Sequence, residues 1–139
     1  LNYSLIIAGR NPGGKLKRAI DSNSNVILRD NIKREELNDL IANANIHILP
    51  GFQSAGIKLK LIHVLNSTGH IITNSKMITD KKLADFCNVV ESNEDMKKMI
   101  LEKAEQPLDK IEIANRKKML LEIYSNERNV ENLVNRIFN

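Results

Sequence analysis

A chain of 139 residues with one cysteine, no tryptophan and a net charge of +4 can bury a single aliphatic core, and its cysteine count excludes a disulfide-stapled secreted module. No run of about 18 apolar residues occurs, which excludes a membrane-spanning helix, and the lone Cys87 fits a reducing, cytoplasmic setting. The positive excess lies in the first half, nine Lys/Arg against five Asp/Glu up to Leu65 and twelve against twelve beyond it, without the clusters of a nucleic-acid surface; this suits a compact anionic ligand rather than nucleic acid.

The sequence opens on a strand-like run rather than on Met, as expected of a piece of a longer polypeptide. Residues 2–9 (NYSLIIAG) are almost continuously apolar and end in Gly, the pattern of a strand buried on both faces. The turn Arg10-Asn11-Pro12-Gly13-Gly14 stops regular structure, and residues 15–21 predict a short helix with Leu16, Ala19 and Ile20 inward. Residues 25–29 (NVILR) read as a second strand. Asp30 or Asn31 can then cap a helix over 33–44 whose apolar face is Leu37, Leu40 and Ile41.

A third strand over 45–49 (NIHIL) runs into Pro50-Gly51, the small-residue turn Gln53-Ser54-Ala55-Gly56, and an apolar helix through Leu65. Gly69 ends that helix, and 70–74 (HIITN) make a fourth strand. A short helix over 81–86 and a fifth strand over 87–90 follow. Ser92 with Asp95 resembles a capping box for a helix carrying Met96, Met99 and Ile100. Pro107 breaks the chain before a helix over 109–124, and Ser125 can cap a last helix over 126–138. Short strands alternating with helices predict an α/β fold, a parallel sheet of about five strands flanked by helices, with extra C-terminal helices. Ligands bind such sheets at the carboxyl ends of the strands, where the turns after Gly9 and Leu49 both fall.

The turn after Leu49 holds the most chemistry. Where a strand, a small turn and a helix meet, unpaired N–H groups and the positive end of the helix dipole converge on one anion site. Lys58 and Lys60 fall in the first turns of that helix, where a cation is unfavourable by about 0.3–1 kcal/mol unless something negative offsets it. At about 100° per residue, Gly56, Lys60, His63 and Ser67 share one face while Ile57, Leu61, Val64 and Leu65 cover another. The bland alternative is that both lysines are surface residues whose stems lie along apolar neighbours.

Other motifs carry less. Gly9 to Gly14 lacks the G-x-G-x-x-G spacing, and no P-loop occurs. His47, His63 and His70 have no partners at ligand spacing, so no metal is expected. Ser54 has neither a nucleophile's context nor a base and suits hydrogen bonding to a phosphate or to the turn. Cys87 reads as a structural thiol, and Arg116-Lys117-Lys118 as a solvated helix face. No carboxylate stands near the turn to act as a base, so no catalytic residue is assigned and the chain reads as the binding half of a site.

The order of LIIAG, EELNDLI, NIHILP, GIKLKLIHVL and HIITN, with LADFC and YSN later, resembles the C-terminal nucleotide-sugar-binding domain of the group-1 retaining glycosyltransferases. The likeness covers nearly the whole chain and is nearest to a bacterial subgroup with a Gly-Ile-Lys-x-Lys turn. It implies one half of a GT-B fold, a single Rossmann-like domain over 1–139. It also implies that the full-length cytoplasmic enzyme transfers a hexose from a UDP- or GDP-sugar to an acceptor glycan or lipid-linked glycan, as in polysaccharide biosynthesis, with no metal or other cofactor.

By the same resemblance, the donor diphosphate rests on Ser54, Ala55, Gly56, Ile57 and Lys58, with Lys60 neutralising charge. Arg29, Asp30, Asn31 and Ile32 border the base, His63 lies towards the ribose, and Gly9, Arg10 and Asn11 line the cleft floor. The family's two glutamates, eight positions apart, fall here on Ala55 and His63, and a histidine does not reproduce a carboxylate's two-oxygen grip on ribose hydroxyls. The acceptor-binding domain that precedes this one in the family is the implied partner, with residues 126–138 packed on it; peripheral membrane contact would belong to the full-length protein, and the fragment alone is expected to transfer no sugar. The alternative is a non-enzymatic, flavodoxin-like regulatory or protein-interaction domain, indifferent to nucleotides.

Overall fold

In the computed structural model, which describes residues 3–54, 56 and 58–138, the strands form two parallel ladders rather than one sheet. The chain divides into two compact units, residues 1–40 and 41–139.

In the first unit, β1 (Leu5–Gly9) pairs with β2 (Val26–Asp30) over five residues, from Leu5 opposite Val26 to Gly9 opposite Asp30. The connection is α1 (Gly14–Asp21), whose backbone starts on Gly13 and whose end is tied by Ser22 Oγ and Asn23 Nδ2, donating to the Arg18 and Ala19 carbonyls at 3.1 and 2.7 Å. Asn31 adopts φ +54°, a left-handed conformation that asparagine tolerates, and its N–H returns to the Gly9 carbonyl at 2.9 Å. The expected strand over 2–9 is therefore shorter, and Asn2 lies outside the described residues. Nor is it buried on both faces: Leu5 is 43% and Ile6 42% exposed. Two-sided burial needs a covering layer on each face, which a two-stranded ladder beside the eight-residue α1 does not supply.

After β2 the chain forms α2 (Arg34–Asn43), within the helix expected over 33–44. The second unit contains the ladder β3 (Ile46–Leu49), β4 (His70–Thr73) and β5 (Asn88–Val89), in that order and all parallel. Central β4 is buried along its whole length. Around it lie α3 (Leu59–Leu65), a 3₁₀ turn (Ser75–Met77), α4 (Lys81–Ala84), α5 (Asn93–Lys103), α6 (Lys110–Tyr124) and α7 (Asn126–Phe138). The core gathers Leu61, Val64 and Leu65 of α3, Ile71 of β4, Met77, Leu83, and Met119 and Leu120 of α6. Burying side chains of this size contributes roughly 1.5–3 kcal/mol each against the entropy of ordering the chain.

The single sheet of about five strands is thus corrected to ladders of two and three strands, with no hydrogen-bonded register joining them among the described residues. With strands of four or five residues, and β5 reduced to two, each pair offers few backbone bonds.

Local signals were realised closely. Ser92 Oγ accepts from Asp95 N at 3.0 Å and donates to the Asp95 carboxylate at 2.7 Å, opening α5 as the capping pattern requires. Asp109 caps α6 through the Ile111 N–H at 3.0 Å, and α7 starts directly after Ser125.

One helix face was misread. Lys117 and Lys118 are exposed, but Arg116 is 1% exposed, because it shares the i, i+3, i+4, i+7 stripe with Met119, Leu120 and Ile123, which turn towards the core. Its guanidinium donates to the Gly69 carbonyl at 2.8 Å and the Phe86 carbonyl at 3.2 Å and pairs with Glu112 at 2.8 Å. Among the described residues no helix is long and apolar enough to cross a membrane.

Candidate functional site

At the carboxyl edge of β3 the chain enters the loop over 50–58. Pro50 has no N–H with which to continue the ladder. The backbone of the next residue is held instead by Asn74: Gly51 N donates to Asn74 Oδ1 and Asn74 Nδ2 donates to the Gly51 carbonyl, both at 2.9 Å. Beside it, Thr73 Oγ1 donates to the Leu49 carbonyl at 2.6 Å.

Beyond Gly51 the loop turns outward. Phe52 is 84% exposed, and Gln53, Ser54 and Gly56 are exposed. Gly56 takes φ +82°, a left-handed conformation that strains any side chain. Lys58 folds back so that Nζ donates to the Gln53 carbonyl at 2.6 Å, and its own carbonyl accepts from Leu61 N and Ile62 N to start α3. Ala55 and Ile57, both expected at the diphosphate, lie outside the described residues.

Two expectations about this segment are corrected. Gly56 does not open a helix: α3 begins at Leu59, so Ser54, Gly56 and Lys58 belong to the loop and only Lys60 sits in the first helical turn. The positive φ at Gly56 and the ψ of 70° at Lys58 both leave the helical path, and a seven-residue helix contributes little dipole there.

The polar face is also shorter than expected. Lys60 and His63 are exposed, which for Lys60 also accords with the alternative of a surface lysine, but Ser67 is 6% exposed, with its hydroxyl donating to the Val64 carbonyl at 2.7 Å and bonded to His47 Nε2 at 2.7 Å. Leu61, Val64 and Leu65 are buried, as the helical spacing requires, whereas Leu59 is 72% exposed.

The remaining expected residues belong to the first unit. The structure brings Gly9, Asp30 and Asn31 together at the carboxyl edge of β1 and β2: Gly9 pairs with Asp30, and its carbonyl accepts from Asn31. Lys17 lies 3.9 Å from the Asp30 carboxylate. Asn11 is also left-handed, at φ +49°; Arg10 and Arg29 are exposed and Ile32 is half-buried.

Titration marks a different part of the second unit. Burial, with smaller contributions from Arg116 and His63, lowers the pKa of His47 to about 4, so its ring is neutral. Burial also pushes the Cys87 thiol up to about 11, which keeps it protonated and inert. Cys87 lines a cavity of about 130 Å³ with His70, Asp85, Phe86, Asn88, Lys103 and Glu112. His70 and Asn88 open β4 and β5, so this cavity sits at the amino ends of those strands, away from the loop over 50–58. At the carboxyl end of β5, the Ser75 backbone N–H and hydroxyl hold the Glu91 carboxyl below the usual range.

Among the described residues no group of three or more His, Cys, Asp or Glu could hold a metal ion. Sequence reasoning missed Asn74, read only as the last residue of a strand. The available signal was a polar Thr-Asn pair ending an otherwise apolar strand next to Pro-Gly. Comparison with protein families, with curated proteins and with solved structures finds no match to the chain in any of the three.

Proposed function

We propose that the chain is the donor-binding half of a glycosyltransferase, holding the diphosphate of a UDP- or GDP-sugar on the loop over 50–58. The observation that carries this reading is the loop itself: it is pinned at Gly51, left-handed at Gly56, and brings the ammonium of Lys58 onto its own backbone with Lys60 exposed two residues on. A loop of exposed residues with two cations at the carboxyl edge of parallel strands suits an anion that gains charge as the sugar leaves. His63 is the proposed ribose contact, giving one hydrogen bond where a carboxylate would give two.

Calorimetric titration with UDP and GDP tests the reading. Saturable binding is expected, weakened about tenfold by Lys60→Ala, the order of one charge-assisted contact. The fragment alone transfers no sugar on this reading, and measurable turnover would contradict that part of it.

A second reading is favoured by α7. Its residues Val130, Leu133, Val134 and Ile137 recur on one face and are 45–63% exposed, the pattern of a helix that docks on something else. In the glycosyltransferase reading the acceptor domain covers this face; in an interaction-domain reading a separate protein does, and nucleotides have no effect.

A further inference from the structure

We propose that Asn74 is the positioning residue of the loop over 50–58, fixing the two peptide groups that flank the Gly51 Cα, from which that loop departs; its functional consequence rests on the nucleotide-binding reading above. The β3–β4 register ends at Leu49 opposite Thr73, and Pro50 cannot supply the next ladder donor. A carboxamide is the side chain that offers a donor and an acceptor side by side, matching the C=O and N–H of one extended residue, and Asn74 uses both on Gly51 at 2.9 Å each. Two ladder bonds that proline would have ended are thereby continued for one more residue.

The Cα of Gly51 is confined as well. A Cβ there would lie 2.8 Å from Met77 N, 2.9 Å from the Lys76 carbonyl carbon and 3.0 Å from Asn74 Oδ1, and the first two are backbone atoms that cannot swing aside. Gly51 is thus held by the Asn74 carboxamide and packed closely on the 3₁₀ turn. That turn is anchored in its own right, since Ser75 N donates to Glu91 Oε1 at 2.9 Å at the carboxyl end of β5. Beyond Gly51 the packing stops at once, with Phe52 84% exposed and Gln53 and Ser54 exposed. The direction in which the loop leaves the sheet is therefore set at Gly51, and Asn74 sets it without touching the ligand. Preorganised donors bind more tightly than donors that must be ordered on contact, which is what the clamp supplies.

The test compares the 139-residue chain with Asn74→Ala and with Asn88→Ala. Asn88 is a matched control: its Nδ2 donates to the Ile71 carbonyl at 3.2 Å in the same unit, so its loss removes a similar bond without touching the loop. Amide exchange at Gly51 and calorimetric titration with UDP are read on all three. Asn74→Ala is expected to speed Gly51 exchange and weaken UDP binding, each about tenfold, while Asn88→Ala leaves both at parent values. Asn74→Leu keeps the approximate volume and removes both bonds to Gly51, so it gives the same exchange readout should Asn74→Ala not fold.

Equal Gly51 exchange in parent and variant overturns the clamp whether or not UDP binds. Fast Gly51 exchange with undiminished UDP affinity overturns its role in binding. A parent that binds neither UDP nor, in the titration proposed above, GDP, yet loses Gly51 protection in Asn74→Ala, refutes the nucleotide reading and leaves the clamp standing.

Discussion

Replacing Arg116 by methionine removes a charge from the interior while keeping most of the side-chain volume, so it isolates the polar contacts of this residue. Arg116 donates to the Gly69 and Phe86 carbonyls at 2.8 and 3.2 Å, joining α6 to the segments that lead into β4 and β5. Each carbonyl left without its donor costs about 1–3 kcal/mol. The Gly69 contact is buried and belongs at the upper end; Phe86 is half-buried and belongs at the lower end. The pair with Glu112 adds under about 1 kcal/mol, because that carboxylate is 40% exposed and largely screened. Removing a desolvated cation whose Nε has no partner offsets part of the loss.

The expected net loss is about 2–4 kcal/mol, a large share of the roughly 5–15 kcal/mol that holds a typical domain. Urea-dependent exchange of the Ile71 and Ile72 amides, both on fully buried residues of β4, reports the unit concerned. Lys117→Ala on the same helix should stay within about 0.5 kcal/mol. A loss for Arg116→Met no larger than that control would mean that Arg116 is solvated, as the sequence alone suggested, and would refute the packing described for α6.

His47 should make stability depend on pH. Its folded pKa of about 4 lies below the ordinary 6.5, so the unfolded chain takes up the proton first. The contribution is fully present above about 6.5, is lost as pH falls from there to about 4, and reaches up to about 3 kcal/mol; unfolding free energy followed over that window should flatten in His47→Gln. Two glycine substitutions should differ in sign in thermal melts. Gly51→Ala, with backbone within 3 Å of the new methyl, should cost about 1–3 kcal/mol, whereas Gly14→Ala, at the open start of α1 with nothing within 4 Å, should gain up to about 1 kcal/mol. The Cys87 thiol, raised from 9.0 to about 11, should react with iodoacetamide at pH 8 about a hundredfold more slowly in the folded chain than in urea, and equal rates would show that it is not shielded.

What could be read from residue order was mostly local. Ser92 with Asp95, Asp109 ahead of α6, and the buried positions Leu61, Val64 and Leu65 follow from capping chemistry and a 3.6-residue period, which need no knowledge of distant chain. What failed depends on partners far along the sequence. The ladders stop at two and three strands because pairing is settled between segments tens of residues apart, and Leu5 and Ile6 stay exposed because apolar sequence does not say which layer covers it. Arg116 was misread because a charged triplet looks solvated until its position on the stripe with Met119 and Leu120 is weighed. The loop after Leu49 was legible as a turn with two lysines, but its start was not, since the residue that holds Gly51 is 23 positions away at Asn74.

Titration of the intact chain with UDP and with GDP, repeated on Lys58→Ala/Lys60→Ala and on Lys117→Ala, bears most directly on the central claim. Saturable heat with one of the two nucleotides is predicted, abolished by the paired loop substitution and kept by Lys117→Ala. An absence of binding to either nucleotide, or binding that survives the loss of both loop lysines, would contradict a diphosphate site on the loop over 50–58.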